Sequence, residues 1–398
     1  MAYALDGGRL AELRCLQWSG EPMHDTNGVA ITRYERDASG FLRAESHFGV
    51  DGKPIVSTRG VHRAQIERDV AGRETVRVFF GVDGAPVAST KGCHRWSLAY
   101  DEHGDLVRST CIGATGQPVL DAAGVATTVT TFDDRGCERT VRALGVDDAP
   151  VATETGVHGR DFARDAACRV TSRTCVGVDD ARVPCGPGQP AQFSYTYDSY
   201  GRVTETRHYG VDKRPAGDPR YGVYLLRSGW DERDREVWGA CFDAAERHVE
   251  CSRTGFHARV VSYDDVGREI ASRFADVDGA PATNLGTAVL RSRYDNYDHV
   301  YEESSLDGTG TTHEVHGMSS QRYLYDAKHR LFGSLLLDKA GNPARYTGCF
   351  TGLDCPDTAW HAVRIVRRAD GVAIANVFFD AAGQRLVEHA CAKKRCFE

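Results

Sequence analysis

Large apolar residues stand at isolated, regularly spaced positions along this chain, separated by runs of polar residues. In each stretch of roughly 32 residues, one of them follows a turn glycine by eight positions, as at Phe48 and Phe80, and an aromatic residue often precedes a turn aspartate, as at Tyr100. The runs between them, such as 127–132 and 202–209, are rich in Val, Thr, Tyr, Phe and Arg, which is typical of β-strands. No 11-residue window has the periodicity of an amphipathic helix. The pattern predicts short strands that each bury one narrow apolar stripe.

The strands belong to a tandem repeat. The heptapeptide FGVDGKP at 48–54 returns as FGVDGAP at 80–86, and a second landmark, aromatic-Asp-x-x-Gly, lies midway through each repeat and is clear at 197–201. The turn positions of successive repeats are Gly20, Gly52, Gly84, Gly116, Asp148, Asp180, Lys213, Glu246, Gly279, Gly310, Gly341 and Gly383. Their spacings of 31 to 33 residues, before a final step of 42, indicate about eleven repeats and an irregular end.

Both landmarks are turn sequences, because aspartate caps a turn with its side chain and glycine supplies the positive φ that closes it. The mid-repeat turn aspartates are Asp37, Asp69, Asp101, Asp133, Asp165, Asp198, Asp231, Asp264, Asp295 and Asp326. We therefore predict an all-β fold, an antiparallel β-hairpin repeat array of about eleven units arranged as a spiral, solenoid-like or shell-like sheet. Residues 1–345 form this array, and 346–398 are predicted to be irregular, disulfide-stapled units that cap it.

The mid-repeat turn resembles the YD repeats of Rhs proteins. Residues 197–203, YDSYGRV, match the aromatic-Asp-x-x-Gly-Arg-apolar signature in full, and 263–270 nearly match it. Rhs proteins wind β-hairpins into a hollow shell or spiral sheet; bacterial members carry toxins, and animal relatives serve in cell adhesion. The second turn, Asp-Gly-x-Pro, and the period near 32 depart from that repeat. The resemblance implies a β-repeat architecture and an envelope or extracellular setting, and it raises the hypothesis of a shell or carrier part of an Rhs-like toxin system.

The 13 cysteines become interpretable once they are placed on the repeat. Residues at equal distances from the centre of a hairpin face each other, and two pairs, Cys175 with Cys185 and Cys241 with Cys251, are centred on the same turn position of their repeats. Further predicted pairs are Cys93 with Cys111, Cys137 with Cys168, Cys349 with Cys355, and Cys391 with Cys396. Cys15 has no assigned partner. The alternatives are zinc binding by the last four cysteines, whose spacings are wider than zinc sites favour, and reduced thiols in the cytosol.

Disulfides predict an oxidising compartment, so the protein is expected to be secreted or periplasmic. The first residues lack the basic and apolar segments of a signal peptide, and we expect that such a leader has been removed. The net charge of -7 and the pI near 6.1 argue against a nucleic-acid partner, which would require a basic surface. No apolar run approaches the roughly 20 residues of a transmembrane helix.

No linear catalytic motif stands out: the sequence lacks a Gly-x-Ser-x-Gly elbow, a P-loop and a His-Glu-x-x-His sequence. One aspartate per turn supplies too few oxygens for calcium. Four histidines recur two residues after a strand glycine, at His62, His94, His158 and His257, and a structural role explains them best. We therefore predict no metal site and no cofactor. An enzyme whose active site is assembled from several repeats would leave no motif, so catalysis remains an alternative.

The repeats between residues 193 and 301 are rich in aromatic residues, and Asp180, Lys213 and Glu246 replace glycine at their turns or just before them. We take this loss of regularity as the mark of a site. The candidate binding residues are Trp230, Trp238, Tyr200, Tyr224 and His257. The leading hypothesis is a bacterial repeat protein that acts as a scaffold or binding surface for a protein or carbohydrate ligand.

Overall fold

The computed structural model describes residues 2–16, 20–218, 222–251, 255–283, 287–327, 329–346, 359–367 and 373–390. These residues form 25 β-strands and no helix. The strands are β1 (Ala2–Asp6), β2 (Arg9–Arg14), β3 (Ile31–Arg36), β4 (Leu42–Phe48), β5 (Arg63–Arg68), β6 (Glu74–Phe80), β7 (Arg95–Tyr100), β8 (Leu106–Ile112), β9 (Thr127–Phe132), β10 (Glu138–Leu144), β11 (Gly159–Arg164), β12 (Val170–Val176), β13 (Gln192–Tyr197), β14 (Val203–Tyr209), β15 (Leu225–Trp230), β16 (Glu236–Phe242), β17 (Ala258–Tyr263), β18 (Glu269–Ala275), β19 (Val289–Tyr294), β20 (Val300–Leu306), β21 (Ser320–Tyr325), β22 (Leu331–Leu337), β23 (Ala362–Arg367), β24 (Ala373–Phe379) and β25 (Arg385–Ala390). The predicted all-β hairpin array is confirmed, and no helix in the described part of the chain could cross a membrane.

The chain divides into two compact bodies. The first body comprises residues 1–195 and 208–216, and the second comprises 196–207 and 217–398. Within the first body, strands β1 to β13 pair antiparallel in chain order, and within the second, β14 to β25 do the same. The predicted boundary after residue 345 adjoins residues outside the described ranges and stays a prediction.

Most hairpins close on the turn that begins at the mid-repeat aspartate, and several of these turns have the full aromatic-Asp-x-x-Gly sequence. In the β7–β8 hairpin, the amide of Gly104 donates to the carbonyl of Asp101 at 3.2 Å, and Gly104 adopts a φ of 92°, which favours glycine. The strand register shifts by one residue between Ala99 and Tyr100, immediately before the turn. Such a bulge interrupts the alternation of side chains between the two faces of the sheet. The aromatic side chain before the aspartate therefore does not lie on the face that alternation along its strand would give it.

The second turn leads from one hairpin to the next. After β8, Ile112 forms an isolated bridge with Pro118, and the amide of Val119 donates to the carbonyl of Cys111 at 3.0 Å. The chain then crosses to β9, where the amide of Ala126 donates to the carbonyl of Leu144 at 2.9 Å. A proline fits this bridge because it needs no amide donor. Each repeat therefore contributes two full strands and one short edge segment.

The core is divided among the repeats. In the first body, Val61, Ala64 and Phe79 form a buried cluster. In the second body, Trp360 and Phe378 belong to another cluster and are fully buried. Most strand residues elsewhere are only partly buried. A single repeat therefore buries little apolar surface, and the array depends on contacts between neighbouring repeats.

Disulfides add covalent links within hairpins and between neighbouring ones. Among the described residues there are four, with Cα–Cα distances of 5.2 to 5.5 Å, and they join Cys93 to Cys111, Cys137 to Cys168, Cys175 to Cys185 and Cys241 to Cys251. These pairs coincide with four of those predicted from the repeat register. Cys15 is the free cysteine of the described residues. The other two predicted pairs lie outside the described residues and stay predictions: Cys349 with Cys355, and Cys391 with Cys396.

Candidate functional site

The mid-repeat aspartates are engaged within their own turns. Oδ1 of Asp264 accepts hydrogen bonds from the amides of Val266 and Arg268 at 3.2 and 2.8 Å, and Oδ2 accepts one from Nε of Arg268 at 2.7 Å. The same aspartate–arginine pair recurs as Asp69 with Arg73, Asp165 with Arg169, Asp198 with Arg202, and Asp231 with Arg235. The side-chain hydrogen bond from Arg235 is the largest cause that lowers the pKa of Asp231 to about 2. These carboxylates therefore stabilise the turns in which they lie.

In several repeats, an aromatic residue before the turn aspartate joins its hairpin to the preceding one. The phenol of Tyr263 donates to the carbonyl of Glu236 at 2.9 Å, and the guanidinium of Arg235 lies 4.4 Å from the centre of its ring. The same phenol-to-carbonyl bond joins Tyr100 to Glu74, Tyr294 to Glu269, and Tyr325 to Val300. Tyrosine, aspartate and arginine of the signature thus fasten successive turns together. We call this arrangement the turn ladder.

Trp230, a predicted binding residue, occupies a position of the turn ladder. Its indole Nε1 donates to the carbonyl of Val203 at 2.8 Å. Tyr200, also predicted to bind, is 80% exposed at a turn, with the guanidinium of Arg202 at 4.8 Å from its ring centre. Tyr224 is partly buried beside the cluster that contains Phe242. These aromatic residues therefore lie at different turns and strands.

His257, the last predicted binding residue, is buried, and its Nδ1 lies 3.0 Å from the carbonyl of Val249. His62 and His158 make equivalent contacts at 3.1 and 2.8 Å with carbonyls seven residues earlier. These imidazoles hold the short edge segment against its hairpin. Among the described residues, no group of three or more His, Cys, Asp or Glu side chains is arranged to hold a metal ion.

Trp238 lies on an open face of the second body. It stands opposite Gly229 in the β15–β16 register and opposite Val260 in the β16–β17 register. A side chain at position 229 would overlap the indole, so the glycine makes room for it against the backbone. Trp238 is 39% exposed and Val260 is 45% exposed. The result is an aromatic surface on rigid strands that solvent can reach.

Four charged side chains on the same face form a network that the sequence analysis missed. Nε of Arg227 donates to Glu205 at 2.7 Å, and its Nη2 donates to Glu246 at 2.5 Å. Nη2 of Arg207 donates to Glu205 and Glu246 at 2.8 and 2.9 Å. Hydrogen bonds from Arg227 and Arg207 lower the pKa of the Glu246 carboxyl. Each carboxylate bridges both guanidinium groups, so this quartet neutralises itself.

Glu246 also explains why its turn lacks glycine. Its φ of 58° is unfavourable for a side chain, and the ion pairs with strand arginines offset that cost. In the first body, Asp148 pairs with Arg108, and Asp180 approaches Arg142 at 3.3 Å. Asp180 and Glu246, two of the three degenerate turn residues in this region, therefore bind strand arginines of the preceding repeat. Each acidic tip pairs with an arginine 38 to 40 residues before it, which is the signal that the sequence offers.

A small cavity of about 150 Å³ lies in the second body near the disulfide between Cys241 and Cys251. Its polar lining includes Ser228, which donates to Glu236 at 2.5 Å, and Arg259, whose Nη2 donates to Glu269 at the same distance. Pockets for small molecules usually exceed about 300 Å³. Because the cavity is small and its polar groups satisfy each other, the open face around Trp238 is the better candidate for a binding surface.

Comparisons with known proteins give only matches of low identity and low TM-score among solved structures. No protein-family model matches the chain, and no curated protein matches it. Among solved structures, TcdB2-TccC3-TEV is 11% identical with a TM-score of 0.32, over 98% of this chain and 22% of that one. A Photorhabdus luminescens Tc holotoxin pore is 12% identical with a TM-score of 0.25, over 90% and 18%. This chain therefore spans about a fifth of the length of those toxin chains.

Proposed function

We propose that this protein is a secreted or periplasmic scaffold whose second body binds a glycan on the open face of β16 and β17. The observation that carries the proposal is Trp238, which is 39% exposed beside Val260. An exposed indole packs well against the apolar face of a sugar ring, because both are flat and both have a polar edge. Trp230, by contrast, donates its N–H within the turn ladder.

The scaffold part of the proposal is supported by how the repeats are joined. Aspartate, arginine and tyrosine side chains fasten each turn to its neighbour, and Gly229 leaves the indole of Trp238 room against the strand. Side chains held on strands are positioned more accurately than those on loops. A surface of this kind loses little conformational entropy when it binds a ligand.

The compartment is supported by the four disulfides. Such bonds persist in oxidising environments and are rare in the cytosol. Extracytoplasmic polysaccharides and cell-surface glycans are available as ligands there.

The test is a glycan-array screen of the wild-type protein and the Trp238→Ala variant, followed by calorimetry with the best ligand. We expect the variant to bind at least about tenfold more weakly, since a stacked aromatic residue contributes about 1.4 kcal/mol or more. Phe332→Ala is the matched control, because Phe332 is 37% exposed on β22 and should leave binding unchanged. Unchanged binding by Trp238→Ala, or no glycan bound by the wild type, would overturn the proposal.

A second candidate function is a shell or carrier part of an Rhs-like toxin system. The turn ladder favours it, because residues 197–203 carry the YD signature and its Asp198–Arg202 pair is formed. The test is electron microscopy of the purified chain, together with protease protection of co-expressed cargo. A solid particle that leaves all cargo open to protease would exclude this role.

A further inference from the structure

The arginine pair of the neutral quartet recurs further along the second body without its carboxylates. Arg273 holds the same position in β18 that Arg207 holds in β14, the fifth residue of each strand. Arg291 holds the position in β19 that Arg227 holds in β15, the third residue of each. The quartet's two carboxylates are replaced there by Ala271 and Gly310.

The strand register places the second pair as it places the first. Glu205 faces Arg227 while Arg207 faces Leu225, and likewise Ala271 faces Arg291 while Arg273 faces Val289. Arg273 and Arg291 are therefore diagonal neighbours on one face, with Cα atoms about 7–8 Å apart. Both are exposed, and neither forms an ion pair with any described residue. Two guanidinium groups at this separation form a cradle for one anionic group.

The unneutralised pair begins a longer basic row on the same face. Arg293 stands two residues after Arg291, and Arg322 and Arg364 follow on β21 and β23. Among the described strand residues that the register places on this face from β18 to β23, Glu302 is the one carboxylate, and it accepts from Arg322 at 2.7 Å and from Arg293 at 3.3 Å. Five arginines against one glutamate give these strand residues a charge of +4, although the whole chain carries -7.

The row is continuous with the exposed indole. Trp238 faces Val260 across β16–β17, and Val260 faces Arg273 across β17–β18. Arg322 and Arg364 recur on every second strand, which corresponds to a repeat of about 9.6 Å across the sheet. The spaces between the arginines hold small or aliphatic residues, which are Ala271, Ser304, Ser320, Gly333, Leu335 and Ala362.

We infer that this face binds an acidic polysaccharide, whose carboxylate or sulfate groups take the place of the missing carboxylates between Arg273 and Arg291. The inference rests on the proposed function and names its ligand class. A linear polyanion fits a row of arginines that runs across successive strands and has an aromatic residue at one end. A folded acidic protein would call for a central apolar pocket for an anchor residue, and single-stranded nucleic acid would call for several stacking platforms. The described residues of this face form neither.

The experiment measures binding of the full chain to heparin, polygalacturonate, neutral dextran, poly-glutamate and duplex DNA. We expect heparin or polygalacturonate to bind at least tenfold more tightly than dextran, with affinity that falls as salt rises. The variant Ala271→Glu restores an internal carboxylate and should weaken this binding about as much as Arg273→Gln with Arg291→Gln. Arg95→Gln, at an exposed arginine of β7 in the first body, is the control and should bind like the wild type. Circular dichroism and thermal melting verify that each variant is folded.

Each outcome supports or overturns the inference. Equal binding of acidic and neutral polysaccharides, or unchanged binding by Ala271→Glu and by the double variant, overturns the inference. Poly-glutamate or DNA binding as tightly as the polysaccharides overturns the ligand class. If a neutral glycan binds through Trp238 while no acidic one does, the inference fails and the proposed function stands. If no glycan of either kind binds, both fail.

Discussion

The phenol of Tyr263 donates a hydrogen bond to the main-chain carbonyl of Glu236, 27 residues earlier in the chain, at 2.9 Å. This bond crosses from one hairpin to the preceding one, and it recurs at Tyr100, Tyr294 and Tyr325. Its consequence is that stability resides in the joints between repeats as much as in the strands.

Tyr263→Phe removes this bond and keeps the ring. We expect a loss of about 0.5–1.5 kcal/mol in the free energy of unfolding, because the carbonyl of Glu236 loses its donor. Urea denaturation followed by circular dichroism measures it. Tyr297→Phe is the control: Tyr297 is 66% exposed and its ring contact with His329 survives the change. Equal effects of the two substitutions would contradict the turn ladder.

The disulfides should differ in how much they contribute to the free energy of unfolding. Cys137 and Cys168 are 31 residues apart, whereas Cys175 and Cys185 are 10 apart. Because a longer closed loop removes more entropy from the unfolded chain, replacing the first pair by alanine should cost about 1 kcal/mol more than replacing the second. Denaturant midpoints measure the difference, and peptide mapping without reductant checks the linkages. The reverse order would show that loop entropy does not govern these bonds.

Glu246 holds an unfavourable backbone conformation while its carboxylate binds Arg207 and Arg227. Glu246→Ala loses the ion pairs and retains the strain, so its melting temperature should fall. Glu246→Gly also loses the ion pairs, but it removes the backbone strain, so its melting temperature should lie closer to that of the wild type. The gap between wild type and alanine variant should shrink in high salt, where such pairs are screened. Glu232→Ala, at an exposed turn residue, serves as control; an equal fall there would refute the role of the tip.

His47 should make the first body less stable in mild acid. Burial lowers the pKa of this imidazole from 6.5 and outweighs the opposing effect of Glu45, and its buried Nδ1 has no hydrogen-bond partner among the described residues. The unfolded chain therefore takes up the proton first, and stability falls as the pH drops through about 6.5. Denaturation midpoints at pH 7.5 and 5.5 measure how far stability falls between these two pH values. His47→Gln should reduce this fall, and an unchanged fall would exclude His47 as its source.

The repeat and its turns were predictable from the sequence because they depend on local chemistry. Asp264 accepts the hydrogen bonds of its own turn and Gly267 supplies the positive φ. The same local chemistry recurs at the corresponding turns of other repeats. The pairing of Cys175 with Cys185 follows as well, since a hairpin centred on Asp180 places them opposite each other. The candidate binding residues were harder to predict: Trp230 and Trp238 look alike in the sequence, yet the structure puts one in the turn ladder and the other on an open face.

The sequence by itself determined the β-hairpin repeat, the position of each turn and the candidate disulfides, because these depend on residues within one repeat or at equivalent turns of neighbouring repeats. Only the tertiary structure decided which charges meet. Glu246 reaches Arg207 from the next repeat, whereas Arg273 and Arg291 meet Ala271 and Gly310 at the equivalent places and keep their charge exposed. The physical reason is that an ion pair depends on distance in space, and the lateral register of strands brings together residues that lie tens of positions apart in the chain.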